Sequence, residues 1–399
     1  MSSLGWEMLD LVARWLHVIA GIMWVGNSLL FNWLDRNLHS KPEHYQGSGA
    51  IWLLHSGGFY YVEKTLLPGQ KLPVPLHWFK WQAYTTWLTG LALLVIVYWA
   101  GGRATMQHTA LPTMHQWALV VFGAGILFGG WLVYELANRF IGPRAPSLAL
   151  GVWLSTLLIA SWLFMRLLDP RAAYLHVGAM LGTIMAGNVF FTIVPSQRHL
   201  VASVESGEQT KAVADSARAK RVSIHNNYFT FPVIVLMVSS HFPSLYGGRN
   251  SWQILLPLIA AGAMVRHILN VRYSMRYWQP LLALTMVATV GGIYILQRQG
   301  RADSSAVSTS DLPPTFAEAR HIIDRRCAAC HSATPTDATF GPAPAGVSFD
   351  TPGEIAARTA RINERAVMTK TMPPANKTHM TDVERDLLRR WIAAGAPLN

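Results

Sequence analysis

The chain is poor in cysteine and in charged residues. Its 399 residues include only two cysteines, Cys327 and Cys330, so a zinc site built on two cysteine pairs is poorly supported. Charged residues make up 14% of the chain, against about 25% in a typical soluble domain. Because 51% of the residues are hydrophobic, the composition predicts a membrane protein.

Acidic residues are scarce in only one part of the chain. Residues 1–297 contain 20 Lys and Arg against 10 Asp and Glu, whereas residues 298–399 contain 13 against 11. A net charge of +12 could indicate a nucleic-acid partner. Membrane topology explains it better, because Lys and Arg accumulate in the cytoplasmic loops of membrane proteins. We therefore expect a lipid bilayer and no nucleic acid as partner.

Eight stretches are apolar enough to cross a bilayer, which takes about 20 residues of helix. They lie at about 9–34, 81–99, 116–136, 148–165, 173–194, 228–240, 252–269 and 280–297. The first is too long for a cleavable signal peptide and lacks its basic start. The loops after the odd-numbered spans hold most of the Lys and Arg residues. Both termini are therefore predicted on the periplasmic side of a bacterial inner membrane.

The chain is thus predicted to have two domains. Residues 1–298 would form an all-α bundle of eight transmembrane helices. Residues 299–313 are mostly small and polar and end in proline, a composition typical of a flexible linker. Residues 314–399 have the size of a small soluble domain.

The tail contains Cys-Ala-Ala-Cys-His at residues 327–331. This pattern attaches haem c through thioethers at Cys327 and Cys330, with His331 as the fifth iron ligand. An accidental match or half of a zinc site is the alternative. Bacteria attach haem c outside the inner membrane, which agrees with the side that the charge distribution predicts for the tail.

Four residues could supply the sixth iron ligand: Met368, Met372, His379 and Met380. Met372 is favoured because Pro373 and Pro374 follow it and hold the chain extended, so that the loop can present the thioether. The alternative is that Met372 only packs in the loop.

Two helices are predicted to flank the haem site. The first has an apolar face made by Phe316, Ala319, Ile322 and Ile323. The last begins with the capping box Thr381-x-x-Glu384, and its apolar face includes Leu387, Leu388 and Trp391. With these features, roughly the last 85 residues resemble class I cytochromes c.

Predicted spans one and five resemble each other. They read WLHVIAGIMWVGN and YLHVGAMLGTIMAGN, each with Leu-His-Val followed by Gly-Asn. Span two has AYTTW where span six has NYFTF. The pattern indicates a parallel repeat of four plus four helices, although small and aromatic residues recur in any bundle.

Four histidines lie in or beside predicted spans: His17, His176, His225 and His267. Ionisable groups inside a bilayer are costly and are functional candidates by default. Pairs of these histidines could ligate a b-type haem, bind substrate or relay protons. The alternative is that these histidines have a structural role and form hydrogen bonds between helices.

Two further polar clusters stand out. The loop at about 35–80 contains four basic residues that could hold an anion, Lys64, Lys71, His77 and Lys80. It also contains aromatic residues that could stack on a flat ring: Phe59, Tyr60, Tyr61, Trp78 and Trp81. The alternative is a loop that rests on lipid headgroups. The second cluster, at the entrance of span six, comprises His225, Asn226, Asn227 and Tyr228. It could bind one edge of a polar heterocycle or cap a helix.

The chain resembles the membrane-bound urate oxidases over its whole length. The stretches that carry the resemblance are WLHVIAGIMWVGN (15–27), GGFYYVEK (57–64), LHWFKWQAYTTW (76–87), HNNYFTFP (225–232) and CAACH with TMPPAN. An acidic residue would be expected near Gln82 in this family, so a base at that position is in doubt.

The resemblance implies oxidation of urate to 5-hydroxyisourate in purine degradation, with water supplying the oxygen. Electrons would pass to the protein's own haem c and on to a soluble cytochrome c or a terminal oxidase. Histidine would be the base. The candidate catalytic residues are His225, Asn227, Tyr228, His17, His176 and His267. The candidate substrate-binding residues are Lys64, His77, Lys80 and Tyr84. A b-type haem would be needed if urate binds on the cytoplasmic side.

Two other functions are compatible with the sequence. A quinol-oxidising b-type cytochrome would need transmembrane histidine pairs and a quinone pocket. A membrane-anchored electron shuttle or oxidase subunit would need only an active tail, and would leave both polar clusters unexplained. A transporter is disfavoured by the fused haem site.

Overall fold

The computed structural model of the chain describes residues 3–39, 49–64, 72–100, 106–108, 114–206, 210–246, 250–302, 313–337 and 343–398. These residues are mostly helical, with one two-stranded sheet among them. The prediction of a mainly helical protein is confirmed. Most of the predicted linker, residues 303–312, lies outside the described residues, and helix carries the chain as far as Ala302.

Among the described residues, ten α-helices with assigned bounds precede the tail. They are α1 (Ser3–Asn37), α2 (Lys80–Leu93), α3 (Gln116–Leu136), α4 (Pro146–Leu167), α5 (Pro170–Gly187), α6 (Val194–Ser206), α7 (Thr210–Ser239), α8 (Pro243–Tyr246), α9 (Ser251–Val271) and α10 (Trp278–Ala302). Three of them run on into π-helical turns, at Leu94–Trp99 after α2, Ala137–Ile141 after α3 and Asn188–Ile193 after α5.

Among the described residues, seven helices are long and apolar enough to cross a membrane. The predicted second span, 81–99, corresponds to α2 and its π-helical turn, and α2 alone has 14 residues. The predicted sixth span, 228–240, is the end of the 30-residue helix α7, which contains Pro232. The sequence underestimated α7 because its first half is polar. The total of eight spans stays a prediction.

The all-α prediction missed a β-hairpin. Strands β1 (Gly49–His55) and β2 (Gly58–Lys64) pair antiparallel, with Trp52 opposite Tyr61. Ser56 and Gly57 join them with φ of 51° and 76°, the left-handed conformation that a two-residue hairpin turn requires. The Gly-Gly pair between runs of aromatic and aliphatic residues is the sequence signal for it.

The chain divides into two compact units. Unit A comprises Val12–Ala92 and Gly182–Thr230. Unit B comprises Met1–Leu11, Leu93–Leu181 and Phe231–Asn399, and so includes the tail.

Within unit B, α3 packs on α4 and α9 packs on α10. Two helix backbones approach closely at Gly262 of α9, where a Cβ atom would lie 2.8 Å from the backbone nitrogen of Pro232. Only glycine lets the two backbones come this near. The hydroxyl of Tyr174 on α5 donates a hydrogen bond to the carbonyl oxygen of Ser251 at 2.7 Å.

The described part of the tail, also in unit B, contains four short α-helices around a small core. They are α11 (Phe316–Arg326), α12 (Pro352–Ala356), α13 (Thr359–Ile362) and α14 (Asp382–Ala393). Helix α11 packs on α14 and buries Ala319, Ile322 and Ile323 against Leu388 and Trp391. The predicted apolar faces of both helices are therefore confirmed.

Three helices of the tail begin with the same N-terminal capping motif. Thr315, Thr351 and Thr381 each accept a hydrogen bond from the backbone of a glutamate three residues later. The carboxylates of those glutamates, Glu318, Glu354 and Glu384, in turn accept from the backbone nitrogen of the threonine. The predicted capping box at Thr381 is confirmed.

Candidate functional site

Two amide pairs lie in the interior of unit A. The Nδ2 of Asn27 on α1 donates to the Oε1 of Gln82 on α2 at 2.7 Å. The Nδ2 of Asn188 donates to the Oδ1 of Asn226 on α7 at 2.8 Å. Asn188 and Asn226 are both buried, so each side chain must find partners within the protein.

The two pairs occupy matching positions in the proposed repeat. Gln82 precedes AYTTW and Asn226 precedes NYFTF. Each is followed four residues later by a threonine whose hydroxyl donates to its carbonyl oxygen, Thr86 at 2.7 Å and Thr230 at 2.8 Å. These equivalent contacts support the parallel repeat within unit A.

An aromatic group lies beside the amide pairs. The ring of Tyr84 lies 5.3 Å from that of Phe190 and 5.9 Å from that of Trp81. Tyr84 also packs against the small core formed by Ala83, Val189 and Val194. The guanidinium of Arg198 on α6 interacts electrostatically with the Tyr84 hydroxyl. Rings with a cation nearby suit a planar anion.

His17 is held by α2 in a defined tautomer. Its Nδ1 lies 3.0 Å from the carbonyl oxygen of Thr86 and 3.1 Å from the hydroxyl of Thr89. A carbonyl oxygen only accepts, so Nδ1 carries the proton and Nε2 keeps its lone pair. Gly90 makes room for the ring, since a Cβ there would lie 2.9 Å from His17 Cε1.

His176 lies in unit B and is fully buried. Its Nδ1 donates to the carbonyl oxygen of Ala172 at 2.8 Å, and its Nε2 accepts from the indole N–H of Trp99 at 3.2 Å. Both ring nitrogens are therefore used within the protein. His267, also in unit B, is exposed near the end of α9. The roles predicted for these two histidines stay predictions.

His225, Asn227 and Tyr228 lie inside α7, 15 to 18 residues after its first residue Thr210. Their position excludes the alternative that this cluster caps a helix. His225 and Tyr228 are half-buried, whereas Asn227 is buried. The ring of His225 lies 6.4 Å from that of Phe229.

The predicted anion-binding residues of the loop have other neighbours. Lys64 lies 2.6 Å from the carboxylate of Asp35. The ring of His77 lies 4.7 Å from that of Phe79, and the Nζ of Lys80 lies 5.6 Å from the ring of Trp81. Within the part of the chain that the structure describes, these contacts do not link Lys64, His77 and Lys80 to one another, and Lys71 lies outside the described residues. Of the predicted substrate-binding residues, Tyr84 belongs to the aromatic group and Lys80 contacts it through Trp81.

Six residues of this region were absent from the predicted site residues. Four of them form the two amide pairs, Asn27 with Gln82 and Asn188 with Asn226, and Arg198 and Arg221 supply positive charge. The repeated Gly-Asn was a signal for Asn188. No sequence signal separates the two arginines from the other basic residues between predicted spans five and six.

The tail places its two cysteines and His331 on one turn after α11. The backbone nitrogens of Cys330 and His331 both donate to the carbonyl oxygen of Cys327, at 3.1 and 2.9 Å. Burial raises the pKa of the Cys327 thiol to about 12, so the unattached thiol stays protonated. The Nδ1 of His331 donates to the carbonyl oxygen of Val347 at 3.1 Å, which leaves Nε2 able to bind a metal. These donors fit a covalently attached haem.

The four candidates for the sixth ligand differ in their surroundings. Met380 is buried in the core of the tail, and Met368 places its sulfur 3.4 Å from the Nδ2 of Asn363. His379 is exposed, whereas Met372 is half-buried outside that core. The buried Arg385 donates to the carbonyl oxygen of Met372 at 2.8 Å. This pattern favours Met372.

The fold and these sites define a mainly helical protein with several long apolar helices, as in membrane proteins. Residues 3–297 match the model of the urate oxidase N-terminal family, and the chain belongs to that family. Membership suggests an oxidoreductase acting on urate. No curated protein and no solved structure matches the chain.

Proposed function

We propose that the protein oxidises urate to 5-hydroxyisourate and delivers the electrons to a haem c attached to its own tail. The observation that carries the proposal is the family match over residues 3–297. Water supplies the oxygen atom: urate and one water give 5-hydroxyisourate, two protons and two electrons.

The residues of unit A suit the substrate. Urate is a planar anion at neutral pH, and the rings of Tyr84 and Phe190 offer a stacking surface with Arg198 close to it. Arg is well matched to planar anions because its guanidinium is flat and permanently charged. Asn227 and Tyr228 can donate hydrogen bonds to the oxygens of a purine.

Oxidation of urate also releases protons, so the site needs a base. His225 lies on the same helix as Asn227 and Tyr228 and is the first candidate. His17 is the second, because its Nε2 retains a lone pair. Either imidazole would take the proton of the attacking water or of the purine ring.

The tail would hold the electron acceptor. Cys327 and Cys330 would form the thioethers, and His331 and Met372 would bind the iron. When bound, the haem would supply one-electron redox chemistry, so two electrons from each urate would leave in succession. Haem c is attached outside the cytoplasm, so we place the tail in the periplasm, with a soluble cytochrome c or a terminal oxidase as the next acceptor.

The test uses the oxidised protein purified in detergent. Urate is added without oxygen, and the absorption band of reduced haem c is followed. Reduction by urate but not by quinol is expected. A haem that dithionite reduces and urate does not would contradict the proposal, and reduction by quinol alone would favour a quinol-oxidising cytochrome. In that case a b-type haem at His17 or another transmembrane histidine would be the next centre to look for.

A further inference from the structure

One donor of the Arg221 guanidinium on α7 is buried without a hydrogen-bond acceptor. This donor is the Nε, which is shielded from solvent. Among the residues that the structure describes, no carboxylate pairs with it. A shielded donor without an acceptor loses its hydrogen bond to water and gains nothing in return. Such groups in native proteins call for an explanation, and an anionic ligand is one.

The neighbours of Arg221 suit a ligand. His225 follows one turn later, and the Arg221 guanidinium interacts electrostatically with its imidazole. Tyr228 follows after almost one further turn, so the three side chains form one stripe along α7. The adjacent Asn226 is hydrogen-bonded to Asn188 and to the carbonyl oxygen of Met185 and is not part of this stripe.

We propose that Arg221 binds the anionic edge of the purine and holds it against His225 and Tyr228. The inference rests on the proposed oxidation of urate. It identifies Arg221 as the residue that favours an anionic purine over a neutral one. A guanidinium offers parallel N–H donors that match two neighbouring acceptors on one edge of a flat ring. The urate anion presents such an edge, and a neutral purine lacks the charge.

A phospholipid headgroup could supply the same chemistry. Arginines near the ends of membrane helices extend their guanidinium toward headgroup phosphates, and Arg221 lies in the first part of a helix that is apolar enough to span. The experiment must therefore separate a purine anion from a lipid phosphate.

The test measures urate binding to the full-length protein after dithionite reduction, when no acceptor remains and turnover is blocked. Arg221→Gln is expected to weaken binding about 10- to 100-fold, as for loss of a hydrogen bond to a charged group. Arg221→Lys should recover part of the affinity. The matched control is Lys220→Gln, which removes an exposed cation from the same helix and should leave binding unchanged.

A second measurement uses the wild-type protein, in case the variants fold poorly. Hypoxanthine, a neutral purine, should bind at least tenfold more weakly than urate. Equal affinity for the two would overturn the inference, and so would unchanged urate binding in Arg221→Gln. If Arg221→Gln keeps its urate affinity but retains less anionic lipid than the wild-type protein when released from nanodiscs, the partner of Arg221 is a lipid headgroup. Failure of wild-type protein to oxidise urate would reject the proposed function itself.

Discussion

The tail and unit A satisfy their polar groups in opposite ways. In the tail, three helices begin with the same Thr-x-x-Glu box, so each helix end is satisfied by residues three positions apart. In unit A, polar side chains in the middle of helices pair over long sequence distances, as Asn27 does with Gln82. Helices in water expose their ends to a competing solvent, whereas helices in lipid must satisfy polar groups among themselves.

The largest effect is expected where two membrane helices touch. Gly262→Ala would place a methyl group 2.8 Å from the backbone nitrogen of Pro232, and backbone cannot rotate away. We expect about 3 kcal/mol of destabilisation, the upper end for overpacking, seen as a lower melting temperature in detergent. Gly291→Ala is the control, because a Cβ there has no neighbour within 4 Å. Equal melting temperatures of the two variants would contradict the close approach.

The next effect concerns the amide pair of unit A. Asn226→Leu removes one partner and leaves the Nδ2 of Asn188 buried without it, at an expected cost of about 2 kcal/mol. In the double variant Asn188→Leu/Asn226→Leu, both polar groups are gone and the loss should be less than the sum of the single losses. Additive losses in thermal unfolding would show that the two amides do not interact.

A smaller effect is expected from a local cap in the tail. Thr381→Ala should cost about 1 kcal/mol and speed hydrogen exchange in α14 of the intact protein. Thr336→Ala, at an exposed position, is the control. If only the amides of α14 exchange faster and those of unit A do not, the cap acts locally. This would support the contrast between hydrogen bonds within one helix end and hydrogen bonds between helices. Faster exchange throughout the chain would weaken it.

The same cap predicts a dependence on pH. Partial burial works against it, yet hydrogen bonds from Arg326 and from the backbone of Thr381 hold the pKa of Glu384 below its ordinary value. A lowered pKa means stability that is present above the ordinary carboxyl range, near pH 4, and is lost as pH falls through the lowered pKa. The protection factors of the α14 amides, which correct for the intrinsic exchange rate at each pH, should therefore fall in acid, and Glu384→Gln should abolish this dependence.

The smallest effect is expected at Lys64. Its ion pair with Asp35 is half-exposed on both sides, and such pairs contribute about 0 to 1 kcal/mol. Lys64→Gln should leave the melting temperature and the KM for urate nearly unchanged. A tenfold rise in KM, with Lys80→Gln for comparison, would instead support the original prediction that Lys64 binds substrate.

The contrast explains what could be read from the sequence. The apolar faces of α11 and α14 and the box at Thr381 are local patterns, and they were predicted correctly. The hairpin at Gly49–Lys64 has a local signal too, but it lies in a loop that Gly and Pro made look irregular.

The polar interior of unit A depends on contacts that sequence spacing does not reveal. Asn188 and Asn226 are 38 residues apart and meet only because α5 and α7 pack together. In the sequence, Arg221 and Arg198 resemble the other basic residues between predicted spans five and six. The similarity of spans one and five indicated this region. Only the packing of the helices shows which amides form hydrogen bonds with each other.

The π-helical turn at Asn188–Ile193 also carries information about descent. A π turn holds one more residue than an α turn, so a helix can absorb a single inserted residue by forming one. Removing one residue there would restore the α pitch and rotate α6 by about 100° relative to α5, carrying Arg198 away from Tyr84. Relatives that differ by a one-residue gap at this point would then differ in how they meet their substrate, even where every named side chain is retained.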